Sequence, residues 1–254
     1  MLRLTQVVDE LAAYYSEPAT QEENPWRAIV AENIAYLVDD AQRAQALDRL
    51  EQAVGLAPQA IVDANPSAIR AAAELGGAVN VDGRVEKVRL CAEIVLKQCT
   101  GDLAGAIAEW PLPRVRKLLK AFPGIGEPGV ARLLLFSGRE AAPALESNAV
   151  RVLTRLGFLS EDEQYAAWYK NAIAVMAKQG RPQGPWLRRA FLLLRAHGRE
   201  LCKRKEPLCD PCPLKAECRF YKVRAAAEAP VPSAARSGKS EKREKHEREG
   251  RRTS

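Results

Sequence analysis

The most evident chemistry in the chain lies in four cysteines. Cys202, Cys209, Cys212 and Cys218 fall within 17 residues in the spacing C-x6-C-x2-C-x5-C. Lys203, Arg204 and Lys205 stand among them, with Pro207, Pro211 and Pro213. The prolines discourage regular structure and let a loop wrap around a centre. The nearby cations are expected to lower the thiol pKa values and to offset the charge of a thiolate-ligated group. Four thiolates suit a metal, and the spacing alone leaves a four-cysteine zinc site and a [4Fe–4S] cluster both open. Cys91 and Cys99 read instead as small buried thiols, the first in line with Val88 and Val95, the second just past a helix end. His197 and His246 are the only histidines, which argues against a histidine-based catalytic arrangement.

A second chemical feature is the turn Phe122-Pro123-Gly124-Ile125-Gly126 between two apolar, helix-forming runs. Pro123 presets φ for a tight turn, and Gly124 can take the positive φ such a turn needs. Ile125 is the one large apolar side chain that can pin the turn to its helices. Gly126 leaves the outer backbone bare. Glu127 then falls near an N-cap, with Pro128 at the first helical position and Gly129 behind it. Free N–H groups beside a helix N-terminus make an anion seat, suited to a phosphate. Arg116, Lys120 and Arg132 are the cations placed to steady a bound strand.

Charge supports a polyanionic partner. Residues 1–110 carry 9 Lys and Arg against 17 Asp and Glu, whereas residues 111–221 carry 20 against 10. The segment 222–254 adds 10 against 5, and the whole chain of 254 residues stands at +7. The basic surface therefore belongs to the part that holds the turn and the cysteines. No run approaches the length of a membrane span, and Met1-Leu-Arg leads into a polar helix and not a signal h-region. A soluble, cytoplasmic protein is expected, with no membrane partner.

The elements that must position these groups read as helices throughout. Leu4, Val7, Val8, Leu11 and Tyr15 share one face of a helix over 2–15, and a polar stretch from Ser16 to Glu23 follows. Asn24-Pro25 opens a helix from Trp26 to Val38, and Asp39 caps the next, which stops at Gly55. Pro58 and Asn65-Pro66 open two short helices, the second ending at Gly76-Gly77. A long helix is expected over 84–97, and Asp102 caps 103–109. After the turn, Ser147 or Asn148 is expected to cap a helix. Ser160-x-x-Glu163 forms a capping box for 161–178, and 185–200 is strongly apolar. Nothing alternates with period two over any length, so the fold class is all-α without a sheet. From Ala225 onward nothing is available to bury, which predicts a disordered tail.

Taken together, the turn and the cysteine spacing resemble one family: the endonuclease III-like members of the helix-hairpin-helix DNA glycosylases. The resemblance covers about residues 2–222 and rests on three landmarks in family order. These are the hairpin Phe122–Gly126, the segment Glu146-Ser-Asn-Ala-Val-Arg-Val152, and His197-Gly-Arg199 followed by the four cysteines. It implies a helical domain over 26–140 carrying the hairpin, and a cluster domain made of 1–25 with 141–221. Residues 222–254 would be the basic tail. It also implies a [4Fe–4S] cluster on Cys202, Cys209, Cys212 and Cys218, with zinc as the alternative. DNA would be bound through Pro123, Gly124, Ile125, Gly126, Pro128, Gly129, Lys120 and Arg132, and Glu146 would stand where the family keeps its catalytic carboxylate.

Three departures bear on activity. Bifunctional members carry a lysine two residues after the last hairpin glycine, and here that position is Pro128, which has no amine for a Schiff base. The family aspartate is replaced by Glu146, one methylene longer. The Gln that many relatives use to fill the space of a flipped base is missing, leaving Tyr36 or Leu37 to serve. The resemblance thus implies a base-excision-repair glycosylase acting on double-stranded DNA with a damaged or mismatched base. It would be a monomer, located in the cytoplasm (on the nucleoid in a bacterium), and monofunctional, without lysine-dependent lyase activity. A non-catalytic lesion-binding protein of the same fold is the alternative. An iron–sulfur electron carrier is a third reading, which leaves the hairpin and the basic half unexplained.

Overall fold

A computed structural model describes residues 2–16, 22–160 and 164–228. Among the described residues there are thirteen α-helices and no strand. They are α1 (Leu4–Tyr15), α2 (Pro25–Ile34), α3 (Asp40–Ala53), α4 (Pro58–Asp63), α5 (Pro66–Leu75), α6 (Val81–Cys99) and α7 (Leu103–Glu109). There follow α8 (Leu112–Ala121), α9 (Glu127–Phe136), α10 (Ser147–Leu156), α11 (Tyr165–Gln179), α12 (Gly184–Glu200) and α13 (Arg219–Glu228). No helix among the described residues is long and apolar enough to cross a membrane.

Several helix starts follow from short polar side chains that take up orphan N–H groups. Asn24 accepts from the N–H groups of Trp26 and Arg27, Asp39 from Gln42, Asn65 from Ser67 and Asp102 from Gly105. Several boundaries differ from the sequence reading. Helix α2 stops at Ile34, not Val38, because arginines from elsewhere take its last carbonyls. Arg84 Nη1 donates to Ile34 O (2.5 Å) and Arg43 Nη1 to Ala31 O (3.0 Å). Helix α6 starts early, at Val81, because Asn80 caps it, and it runs on to include Cys99. The capping box expected at Ser160–Glu163 falls partly on residues outside those described; α11 begins at Tyr165 with Gln164 at its cap. Helix α13 continues through Glu228, past both the expected tail start at 222 and Ala225; residues 229–254 lie outside the described ones.

Three apolar cores hold the helices. One gathers Leu4, Val7, Val8 and Leu11 of α1 with side chains from Leu135 to Cys218. A second joins Ala28 and Ile29 of α2 to α6, α7, α8 and α9. A third packs the other side of α2 against α3, α4, α5 and α6. Helix α9 belongs to two of them, with Leu133 and Leu134 in the second and Leu135 and Phe136 in the first. The chain therefore closes on itself: α1 packs on α12, and α9 carries the hairpin up to α10.

Helices α10 and α12 cross closely at Gly198. A Cβ placed on Gly198 would stand 2.8 Å from both Cβ and O of Asn148. Both contacts are with main-chain or near-main-chain atoms that cannot swing aside, so any larger residue must push the helices apart. Gly198→Ala is expected to lower stability by roughly 2–3 kcal/mol. Chemical denaturation followed by circular dichroism would measure this; an unchanged midpoint would show that the crossing relaxes freely.

Candidate functional site

The hairpin folds as its residue types demand. Gly124 has φ +74°, and a Cβ there would meet Asn33 Oδ1 at 3.4 Å. Asn33, buried in α2, donates through Nδ2 to Pro123 O and to Ile29 O, each at 3.0 Å. This side chain ties the turn to α2 and keeps a buried amide satisfied. Ile125 is buried in the second core, with its Cγ2 against the Gly129 backbone. Gly126, not Glu127, is the N-cap of α9, so Glu127 is the first helical residue and Pro128 the second. The N–H groups of Gly126, Glu127 and Gly129 make no hydrogen bond to the described residues.

Gly124, Ile125, Gly126, Pro128 and Gly129 line one open cleft of about 990 Å³. Arg132, Glu146, Asn148 and Arg151 line the same cleft, as do Tyr36 and Leu37. Of the expected DNA contacts, Pro123 and Lys120 are not in its lining. The cations near the hairpin are already engaged. Glu127 holds Lys120 (2.5 Å) and Arg116 (3.4 Å), Arg116 also meets Glu140 (2.6 Å), and Arg132 pairs with Glu32 (3.3 Å). Tyr36 and Leu37 are not helical, since α2 has ended. They sit on a loop braced by Tyr36 N donating to Gly76 O and by the buried Arg84. Leu37 has φ +55° and is 76% exposed.

Glu146 is itself the N-cap residue of α10, in place of the expected Ser147 or Asn148, yet it makes no side-chain cap bond. Its Oε2 accepts from Asn148 Nδ2 at 3.0 Å, while Oε1 is buried with no partner. A buried carboxylate oxygen left unsatisfied is costly and marks a position kept for something else. Asn148 is held in turn: its Oδ1 accepts from Arg151 Nη2 at 2.8 Å. Arg151 also donates to Gly198 O (2.6 Å) and Cys202 O (3.0 Å). Asn148 and Arg151 escaped the sequence reading. The available signal was their spacing of three along a helix that starts at Glu146, which puts them on one face.

The four cysteines line a single small hollow of about 20 Å³, together with His197, Arg155 and Leu214. Among the described residues, no three His, Cys, Asp or Glu side chains gather closely enough to hold one metal ion. The expectation of lowered thiol pKa values is overturned at two of them. Burial, with the charge of the other cysteines, pushes the Cys212 thiol up to about 11, and burial likewise raises Cys218. At both sulfurs burial is the largest effect and outweighs any nearby cation; Lys215, for example, pairs with Asp210. Arg155 is the exception, with Nη1 3.3 Å from Cys202 Sγ. His197, buried and lowered to about 4 by that burial, is neutral; its Nε2 lies 3.6 Å from Cys212 Sγ. Its Nδ1 shares a hydrogen bond of 3.2 Å with the Tyr15 hydroxyl. Cys91 and Cys99 are buried in the second core, as expected.

No family model matches the chain. Sequence relatives nevertheless span nearly all of it. Endonuclease III of Sulfolobus acidocaldarius is 27% identical over 224 residues, covering 87% of this chain and 93% of the relative. The thymine/uracil-DNA glycosylase of Pyrobaculum aerophilum is 24% identical over 230 residues, covering 87% and 94%. Among solved structures, a trapped endonuclease III–DNA covalent intermediate superposes with a TM-score of 0.71 at 20% identity, over 89% of this chain and 100% of that one. Likeness in fold and likeness in sequence, each extending along almost the full length of both partners, point the same way: the chain has the all-α endonuclease III fold and is similar in sequence to endonuclease III-like DNA glycosylases.

Proposed function

We propose that the chain is a base-excision-repair DNA glycosylase that hydrolyses the N-glycosidic bond of a damaged or mismatched base, without a covalent enzyme intermediate. The observation that carries this reading is the buried Oε1 of Glu146, without a partner among the described residues, on a residue that lines the same cleft as the hairpin. The free N–H groups of Gly126, Glu127 and Gly129 would hold a backbone phosphate at the start of α9. A base inside a duplex is out of reach, so the nucleotide must be extruded, at a cost of a few kcal/mol. Leu37 and Tyr36, exposed on their braced loop, would fill the space it leaves. Division of the chain into a hairpin domain (26–140) and a cluster domain (1–25 with 141–221) would put the lesion pocket between them.

Bond breaking builds positive charge on the sugar. Glu146 would stabilise that charge and take a proton from the attacking water. The C1′–N bond breaks and the base leaves with the electron pair, the water oxygen bonds to C1′ as its proton passes to Glu146, and the departing base takes up a proton from solvent while Glu146 returns its own to solvent. Asn148 fixes the position of Oε2, and Arg151 fixes Asn148, so the free oxygen is aimed without a further partner. Pro128 offers no amine, and Lys120 is held by Glu127 outside the cleft lining. Both features support a monofunctional reading.

The four thiols line one hollow, and a [4Fe–4S] cluster takes one thiolate at each of four irons, which together with the cysteine spacing supports that centre. Cys202, Cys209, Cys212 and Cys218 would hold the cluster, whose chemistry when bound is structural ligation and one-electron exchange.

Two experiments test the proposal. Incubation with duplexes carrying different lesions, scored separately for abasic sites and strand breaks, should give base release with little cleavage and no borohydride-trapped adduct. Glu146→Gln should slow that release by about 10²- to 10³-fold, with duplex affinity within about twofold of wild type. Base release at the wild-type rate would remove Glu146 from the mechanism. Lesion binding with no release of any base would establish the non-catalytic alternative. As purified, the protein should be yellow-brown with about four iron per chain. A colourless protein with one zinc would refute the cluster.

A further inference from the structure

The two walls of the cleft differ in charge. The stretch from Leu145 to Arg204 contributes Arg151, Arg195, Arg199, Lys203 and Arg204, against Glu146 alone. The wall built by α2, α3 and the residues before them leans the other way, with four acids against two arginines. One contact joins the walls directly. Asp40, the first residue of α3, sits between two arginines of α12. Arg195 Nη1 donates to Oδ2 at 2.7 Å and Nη2 to Oδ1 at 2.6 Å, and Arg199 Nη1 donates to Oδ1 at 2.7 Å.

We propose that Arg195 and Arg199 form a seat for a DNA backbone phosphate, separate from the hairpin, which Asp40 occupies as an internal stand-in while the cleft is empty of DNA. The proposal rests on the glycosylase reading only in requiring that a strand enter the cleft.

Three arguments support it. The two arginines are four apart on one helix face, so their guanidinium groups converge on a single oxyanion. A two-pronged approach by planar guanidinium suits phosphate as well as carboxylate. Burial differs between the partners. The Arg195 side chain is only 15% exposed, whereas that of Asp40 is 44% exposed. A largely buried guanidinium needs an anion at all times, while the half-exposed carboxylate can turn out to water at little cost. Asp40 is thus the exchangeable member of the contact. Its charge is secure: partial burial pushes the carboxyl up, but Arg195 and then Arg199 hold it at about 2. A strand entering the cleft would compete with a full negative charge. Asp40 would act as a gate that weakens non-specific binding.

The test measures binding of an undamaged duplex by anisotropy across a salt series, using the full chain. Asp40→Asn should tighten binding about fivefold, since the seat is then empty before DNA arrives. Arg195→Gln with Arg199→Gln should weaken it about tenfold and flatten the log–log salt slope by roughly two, the signature of two lost phosphate contacts. Adding Asp40→Asn to that double variant should recover nothing. If Asp40→Asn proves poorly folded, Arg199→Gln alone keeps the Asp40–Arg195 pair and should flatten the slope by roughly one. An unaltered slope in the arginine variants, or no tightening by a folded Asp40→Asn, would overturn the seat and leave the contact a tie between α3 and α12. Failure of the wild type itself to bind duplex DNA would instead overturn the glycosylase reading; Asp40→Asn binding where the wild type does not would still support the gate.

Discussion

One guanidinium, that of Arg151, holds the candidate site together. It lies in α10 and reaches three places at once: the Asn148 side chain one turn back, the Gly198 carbonyl in α12, and the Cys202 carbonyl where the cysteine loop begins. Burial works against its charge, and no carboxylate pairs with it directly. It is satisfied instead by carbonyl and amide oxygens, which fix direction as well as energy. The Glu146 carboxylate, the α10–α12 crossing and the first cysteine thus share one rigid connection. Helix ends are where backbone carbonyls are left free. Arg151 uses two of them, near the end of α12 and just past it, and so converts an intrinsic deficit of helices into a joint.

The same device recurs across the cleft. Asn33 joins the hairpin to α2 through the Pro123 carbonyl, and Arg84 joins the end of α2 to the Gly76–Gly77 turn through the carbonyls of Ile34 and Gly77. In each case a polar side chain buried on one helix satisfies the loose carbonyls of another segment. Apolar packing gives three cores, but contacts of this kind set how the loops between them face the cleft. Packing alone is non-directional and could not hold Gly124, Tyr36 and Glu146 in register with one strand of a ligand.

What was legible in the sequence followed from local rules. Asn24, Asp39, Asn65 and Asp102 announced their helices because capping involves residues two or three apart. Gly124 announced its turn because positive φ excludes most residues. The close spacing of the four cysteines brought them to one hollow. What stayed hidden depends on residues far apart in the chain. Helix α2 was read four residues too long because Arg43 and Arg84, which take up its last carbonyls, give no local sign of it. The cysteines were expected to be acidified by lysines and arginines beside them in sequence, yet at Cys212 and Cys218 burial dominates. Lys120 and Arg132 looked free, and both are paired. Charge counting finds a basic region, but only the fold decides which cations keep their charge available.

Under the proposed glycosylase reading, a glutamate at position 146 in place of an aspartate has a local physical meaning. An N-cap aspartate is an excellent acceptor for the N–H groups of the helix it starts, and a carboxylate so engaged is stabilised in the ground state. Glu146 occupies the N-cap yet leaves that bond unmade. The extra methylene carries the carboxylate past the capping position, to where Asn148 takes one oxygen and the other is left buried and bare. Forgoing a side-chain cap costs about 1 kcal/mol of helix stability. In exchange, the oxygen that would meet a developing positive charge gives up no hydrogen bond when that charge forms. Charge stabilisation acts on a reaction rate only through the part that is stronger in the transition state than before it. A longer side chain at this position is therefore a different solution to the same requirement, in which Asn148 and Arg151 supply the orientation that a helix cap would otherwise give.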